Sequence, residues 1–140
     1  MKKLYLTTLA IVIATLSTGI IHAKSKSVQL VNNTLDTIYV QFNYRKNGHK
    51  SDQGSQVTVQ AGKTGTGSWV DNLKNVYAAN SSMSTNSDGK FFAGGQNRPT
   101  GLISIADHSV SSNSSNPLTF TKDAQGNLSA TIVVSSLYQL

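Results

Sequence analysis

Cysteine and glutamate are absent from this 140-residue chain, and proline occurs only twice. Without cysteine there is no disulfide framework, no thiolate metal site and no lipidated N-terminal cysteine. Without glutamate every acidic side chain is an aspartate, and the usual second carboxylate of a hydrolytic or metal site is missing. Charged residues make up only 13% of the chain, so Ser, Thr, Asn, Gln and Gly must do the solvating. Those residues favour turns and strands over helices. A domain of this size with no covalent staples draws its stability from packing, which favours a sheet sandwich over a loop-rich mini-protein.

Residues 1–23 read as an export signal. Lys2 and Lys3 form a short positive start, residues 4–16 are uncharged and mostly apolar, and Ala23 follows Ile21-His22 as the small residue at the cut. The apolar part is short for a ~20-residue membrane span. This divides the chain into a cleaved leader, 1–23, and one domain, 24–140. The Lys-Lys start is of bacterial type, and the expected destination is the periplasm or the exterior. Beyond the leader no run is apolar and long enough for a membrane-spanning helix. Two of the twelve basic residues leave with the leader, and the remainder still outnumber the six aspartates. That balance suits an anionic lipid surface or an acidic glycan; nucleic acid is not an expected partner of an exported chain.

The clearest pattern lies at residues 27–45. Ile38, Val40, Phe42 and Tyr44 alternate with Tyr39, Gln41, Asn43 and Arg45, the period-2 signature of a half-buried strand with one face to be covered. Val28 and Leu30 begin a strand before it, and Asn32-Asn33-Thr34-Leu35-Asp36 supplies turn chemistry, so the two strands read as an opening hairpin. Further strands are expected at 55–60, 64–70, 75–79, 101–106, 118–121 and from 128 to about 134, separated by Asn-Gly, Ala-Gly and Asp/Asn turns. No helical stripe and no internal repeat appears. Seven or eight short strands predict an all-β fold, a single antiparallel β-sandwich of immunoglobulin-like or jelly-roll-like type, with a small closed barrel as the alternative.

No motif for catalysis, cofactor or metal emerges. Gly62-Lys63-Thr64 would end a phosphate loop only with Gly at position 57, which is Val. Asn86-Ser87-Asp88-Gly89 resembles part of a calcium loop, but Gly95 stands where the bidentate Glu belongs. His49 with Asp52 and His108 with Asp107 form a hydrolytic site only if folding joins their loops. The candidate contact residues are instead the basic tip of Arg45, Lys46, His49 and Lys50, the aromatic Tyr39 on the polar face of its strand, and Phe91-Phe92, read as an exposed apolar wedge.

The C-terminal run Gly126-Asn127-Leu128-Ser129-Ala130-Thr131-Ile132-Val133-Val134, ending in Ser136-Leu137-Tyr138-Gln139-Leu140, is similar to the closing strand of chaperone–usher pilins. Those show a Gly, an alternating apolar strand and a Tyr near the last residue. The resemblance implies an incomplete immunoglobulin-like fold completed by a strand from a chaperone or neighbouring subunit. Val31-Asn32-Asn33-Thr34 is loosely similar to the opening of thaumatin-like domains, whose many disulfides this chain lacks. Neither resemblance is taken as membership. The expected function is binding without catalysis, toward a surface glycan, an anionic lipid or an envelope protein, through loops 45–53, 80–99 and 107–116. The alternatives are an assembly subunit that exchanges its last strand, and a small hydrolase using the loop His and Asp residues.

Overall fold

The computed structural model describes residues 23–94, 98–105, 110 and 116–132. Eight strands run through them: β1 (Ser25–Asn32), β2 (Ile38–Arg45), β3 (Gln53–Val59), β4 (Thr64–Val70), β5 (Asn72–Ala79), β6 (Ile103–Ile105), β7 (Leu118–Lys122) and β8 (Leu128–Ile132). They form two four-stranded sheets, ordered β4-β1-β7-β8 and β3-β2-β5-β6. One core joins the sheets: Val28, Leu30, Trp69, Leu118, Phe120 and Leu128 from the first meet Ile38, Val40, Phe42, Val59, Val76 and Ala78 from the second. Alternate side chains of a strand point to one face, so the inward residues of β1 and β2 are the ones their alternation marks. The chain is all-β, and its two layers are those of a sandwich.

Two expectations need correction. The sheets are not wholly antiparallel, because β1 and β7 pair in parallel at Leu30–Leu118, Val31–Thr119 and Asn32–Phe120. A parallel pair needs a long connection between its strands, and everything from β2 to β6 lies between these two. Nor are β1 and β2 a hairpin. They belong to opposite sheets, and residues 33–37 form a corner between the layers.

The corner is held by Asn32, which is fully buried. Its Nδ2 donates to the carbonyl oxygens of Asp36 at 2.8 Å and Val59 at 2.9 Å, with Gln60 at 3.2 Å. Its Oδ1 accepts from the Thr34 N–H at 2.9 Å and the Thr34 hydroxyl at 2.7 Å. Short Asn and Ser/Thr side chains mimic main-chain turns in this way, and here they tie the β1–β2 corner to the end of β3. The chain crosses between layers again at β3–β4, and then at β4–β5 through the single residue Asp71, whose φ is 57°. True hairpins do join β2 to β3 and β7 to β8; in the latter Asp123 Oδ1 accepts the Gln125 and Asn127 N–H groups.

β2 is covered on both faces, its polar face included. Gln41 and Asn43 are fully buried beneath the segment that follows β5. Gln41 Nε2 donates to Gly89 O at 2.9 Å. Asn43 Nδ2 donates to Phe91 O at 2.6 Å, while Asn43 Oδ1 accepts the Phe91 N–H at 3.2 Å. Gln56 Nε2 reaches Met83 O at 3.1 Å and Gln41 Oε1 at 3.2 Å. Beside this polar layer sits a second, smaller apolar cluster of Ala79, Met83 and Phe91, with Tyr39, Tyr77 and Leu102 packed against it. Gly54 and Gly89 make the close approach possible: a Cβ on Gly54 would lie 2.2 Å from Gly89 O.

Candidate functional site: the basic end of the sandwich

The strand register decides which side chains share an end of the molecule. Ser25 pairs with Val70, Tyr44 with Gln53 and Arg45 with Asn72. The start of β1, the ends of β2 and β4, and the starts of β3 and β5 therefore lie together. That places Lys24 and Lys26 beside the β2–β3 tip of Arg45, Lys46, His49 and Lys50. The opposite end carries Lys63 with Lys122 and Asp36, the last two joined as an ion pair. Cations thus accumulate at one end.

The tip is a tight turn at Asn47-Gly48. Gly48 takes a φ of 80°, the left-handed conformation that glycine adopts without strain, and His49 N donates to Lys46 O at 3.1 Å. Asn72 Nδ2 braces the turn from below through Asn47 Oδ1 at 2.8 Å. His49 and Lys50 are exposed and Lys46 half-buried. A shallow pocket of about 280 Å³ lies between Ala23, the turn residues 46–49 and Asp71. The Asp71 carboxylate accepts the Asn47 N–H at 2.9 Å on Oδ2 and the Lys24 N–H at 2.9 Å on Oδ1. These N–H groups, Asn47 first, hold its carboxyl below the ordinary value of 3.8 against the opposing effect of burial.

Beside the tip, Asp52 receives Lys90 Nζ at 2.8 Å and Arg45 Nε at 2.6 Å. The Lys90 hydrogen bond is the main reason its carboxyl also lies below 3.8. Lys90 Nζ stands 4.5 Å above the ring centre of Phe92, close enough for a cation–π contact. Phe92 is 54% exposed. Phe91 is not: it is buried, edge-on to Tyr77 with ring centres 5.3 Å apart. The pair therefore does not form an apolar wedge, because adjacent residues of an extended segment face opposite ways and only Phe92 turns outward. Tyr39 packs half-buried in the second cluster. It lies six residues before Arg45 on β2, roughly 20 Å away at 3.3 Å per residue.

Of the expected contact residues, the structure gathers Arg45, Lys46, His49 and Lys50, sets Phe92 near them through Lys90 and Asp52, and separates Tyr39 and Phe91. Reading the sequence missed Lys24, Lys26 and Asp71. Their only local signal was a lone aspartate between two strands, which reads simply as a break. Asp52 is engaged by Arg45 and Lys90 and makes no hydrogen bond to His49. Asp107 and His108 lie outside the described residues, as do Val133–Leu140 of the C-terminal resemblance. Among the described residues no cluster of three or more His or Asp side chains could hold a metal ion, and no helix is long and apolar enough to cross a membrane. What the arrangement offers chemically is a set of cations on a braced turn, with the neighbouring carboxylates already engaged. No family model matches this chain, and neither a curated protein nor a solved structure matches it.

Proposed function

We propose that this is an exported bacterial binding module that meets anionic groups of an envelope surface with the basic end of its sandwich. One observation supports this reading most: Lys24, Lys26, Arg45, Lys46 and Lys50 come from separate parts of the sequence and converge on one end. The nearest carboxylates, Asp52 and Asp71, offset only part of that charge. Asp71 is buried against main-chain N–H groups, and Asp52 faces Arg45 and Lys90. Rigid sandwiches commonly bind through loops at their ends, and clustered cations near an anionic surface contribute about 1 kcal/mol each. The leader-like residues 1–23 support export and an envelope setting. Lipid headgroups and acidic glycans present the same chemistry to such a patch.

The test is co-sedimentation with vesicles of anionic or zwitterionic lipid, run beside a pull-down on an immobilised acidic polysaccharide. Binding to one anionic presentation, weakened by salt, is expected. In the Lys46→Gln/Lys50→Gln double variant the affinity should fall roughly thirtyfold, at about 1 kcal/mol for each charge removed. Equal binding to neutral vesicles, or no loss in the double variant, would sink the reading. Binding to the polysaccharide and not to vesicles would assign the ligand to glycan.

A further inference from the structure

Asp71 is only 7% exposed, yet no side-chain cation among the described residues makes an ion pair with its carboxylate. Lys26 is within reach but gives its Nζ to the main-chain oxygen of Asp71 at 3.1 Å. Both carboxylate oxygens are instead taken by main-chain N–H groups, one of them that of Lys24. Lys24 is gripped twice, because Asp71 N also donates to Lys24 O at 2.9 Å. A buried carboxylate ordinarily has a charged partner or a full set of donors. Here Oδ2 meets the Asn47 nitrogen and Oδ1 meets that of Lys24.

Lys24 directly follows Ala23, where the leader is expected to be cut. Hydrolysis of the Ala23–Lys24 peptide bond breaks C–N. The hydroxyl of water goes to the Ala23 carbonyl carbon, which leaves as a carboxylate, and the Lys24 nitrogen becomes a primary amine that takes up a proton. We infer that removal of residues 1–23 converts the Lys24 N–H contact with Asp71 into an ion pair, fastening the new N-terminus to the β4–β5 corner. This rests on the export reading above. Before the cut the nitrogen is a neutral amide donor; afterwards it is an ammonium already 2.9 Å from a carboxylate oxygen, and charge-assisted hydrogen bonds are the stronger kind. Ala23 is exposed and forms part of the pocket wall beside Lys46 and His49, so its loss also adds a positive charge to the basic end.

The pairing has a signature in pH. An α-amino group ordinarily titrates near ~7.7–8.0, and a neighbouring carboxylate raises that value in the folded state. The stabilisation is therefore complete below about pH 7.5 and is lost as pH rises through the raised value. Lys26, Lys46 and His49 also face Asp71, so the comparison needs proteins that keep all three.

The full chain is expressed with its own leader, and the exported protein is analysed by intact mass and by melting at pH 7 and pH 9.5. A second protein carries one glycine inserted between Ala23 and Lys24, which moves the ammonium one residue away and changes no side chain. The mass should begin at Lys24. The melting temperature should fall between the two pH values by roughly 3–6 °C more in the natural chain than in the insertion variant. Asp71→Asn should abolish that difference; if it does not fold, the insertion variant alone decides. A mass showing an intact leader overturns both this inference and the export reading. A mass showing a cut elsewhere overturns this inference alone. A cut after Ala23 with equal pH responses overturns the pairing and leaves export standing.

Discussion

The outer edge of the Phe42 ring packs against Gly67, so close that a Cβ on residue 67 would come within 2.3 Å of two ring carbons. Phe42 belongs to one sheet and Gly67 to the other, and Trp69, two residues further along β4, stacks on the same ring at 5.7 Å with planes 9° apart. The missing side chain is what lets the sheets close on an aromatic pair. Gly67→Ala is expected to cost about 1–3 kcal/mol, the usual range for overpacking, read as a lower urea midpoint. Adding Phe42→Leu to Gly67→Ala should restore part of that loss. A Gly67→Ala protein as stable as the natural one would show that the ring can move aside.

Asn32 provides the second prediction. Replacing it with Ala takes the Asn32 amide away from the Val59 carbonyl and from the Thr34 N–H and hydroxyl, all of them buried contacts. An expected loss of about 2–3 kcal/mol follows from orphaned buried groups. Thr34→Ala removes fewer bonds and should cost less; the reverse order in denaturant melts would contradict the assigned roles.

Phe91 and Phe92 should behave as opposites. Phe91→Ser opens the cluster with Tyr77 and Met83 and is expected to cost about 2–4 kcal/mol. Phe92→Ser touches an exposed ring and should stay within about 0.5 kcal/mol. Equal effects in urea unfolding would refute the split between them. Asn43→Ala should speed amide exchange at Phe91 roughly tenfold or more, since its N–H loses the Asn43 oxygen.

Acid should unfold the protein through its aspartates. Asp71 is held below 3.8 first by the Asn47 N–H, Asp52 by Lys90, and Asp123 by the Asn127 N–H. A depressed folded value means the carboxylate stabilises the fold above its ordinary value, and this is lost as pH falls through the lowered one. Stability should be nearly level from pH 7 to 5 and decline below about pH 4. Lys90→Met should flatten part of that acid decline; an unchanged profile would remove Asp52 from the account.

Much of this fold is visible in the residues. The alternation of β2 names its inward side chains correctly, and residues 64–70 read as the strand that forms, because burial of alternate positions leaves a periodic trace. Neighbouring strands leave no such trace. Alternation fixes which face Val28 and Leu30 present but not that β1 pairs with β4 and β7 rather than with β2. Gln41 and Asn43 look like solvent-facing residues, since their burial depends on a segment nearly fifty positions later that their own surroundings do not announce. The basic tip is contiguous and therefore legible. Lys24 and Asp71 meet only through the β1–β4 register, and no local pattern records that meeting.

The parallel pairing of β1 with β7 has a consequence for the order of events during synthesis. A ribosome delivers β1 first, but the strand's second neighbour is complete only after residue 122 has been made. Until then the hydrogen-bonding edge of β1 that receives Leu118–Phe120 stands open, and exposed edges recruit other strands. Nascent chains that stop before β7 should therefore aggregate rather than fold, and the domain closes late, from its far end back to its beginning.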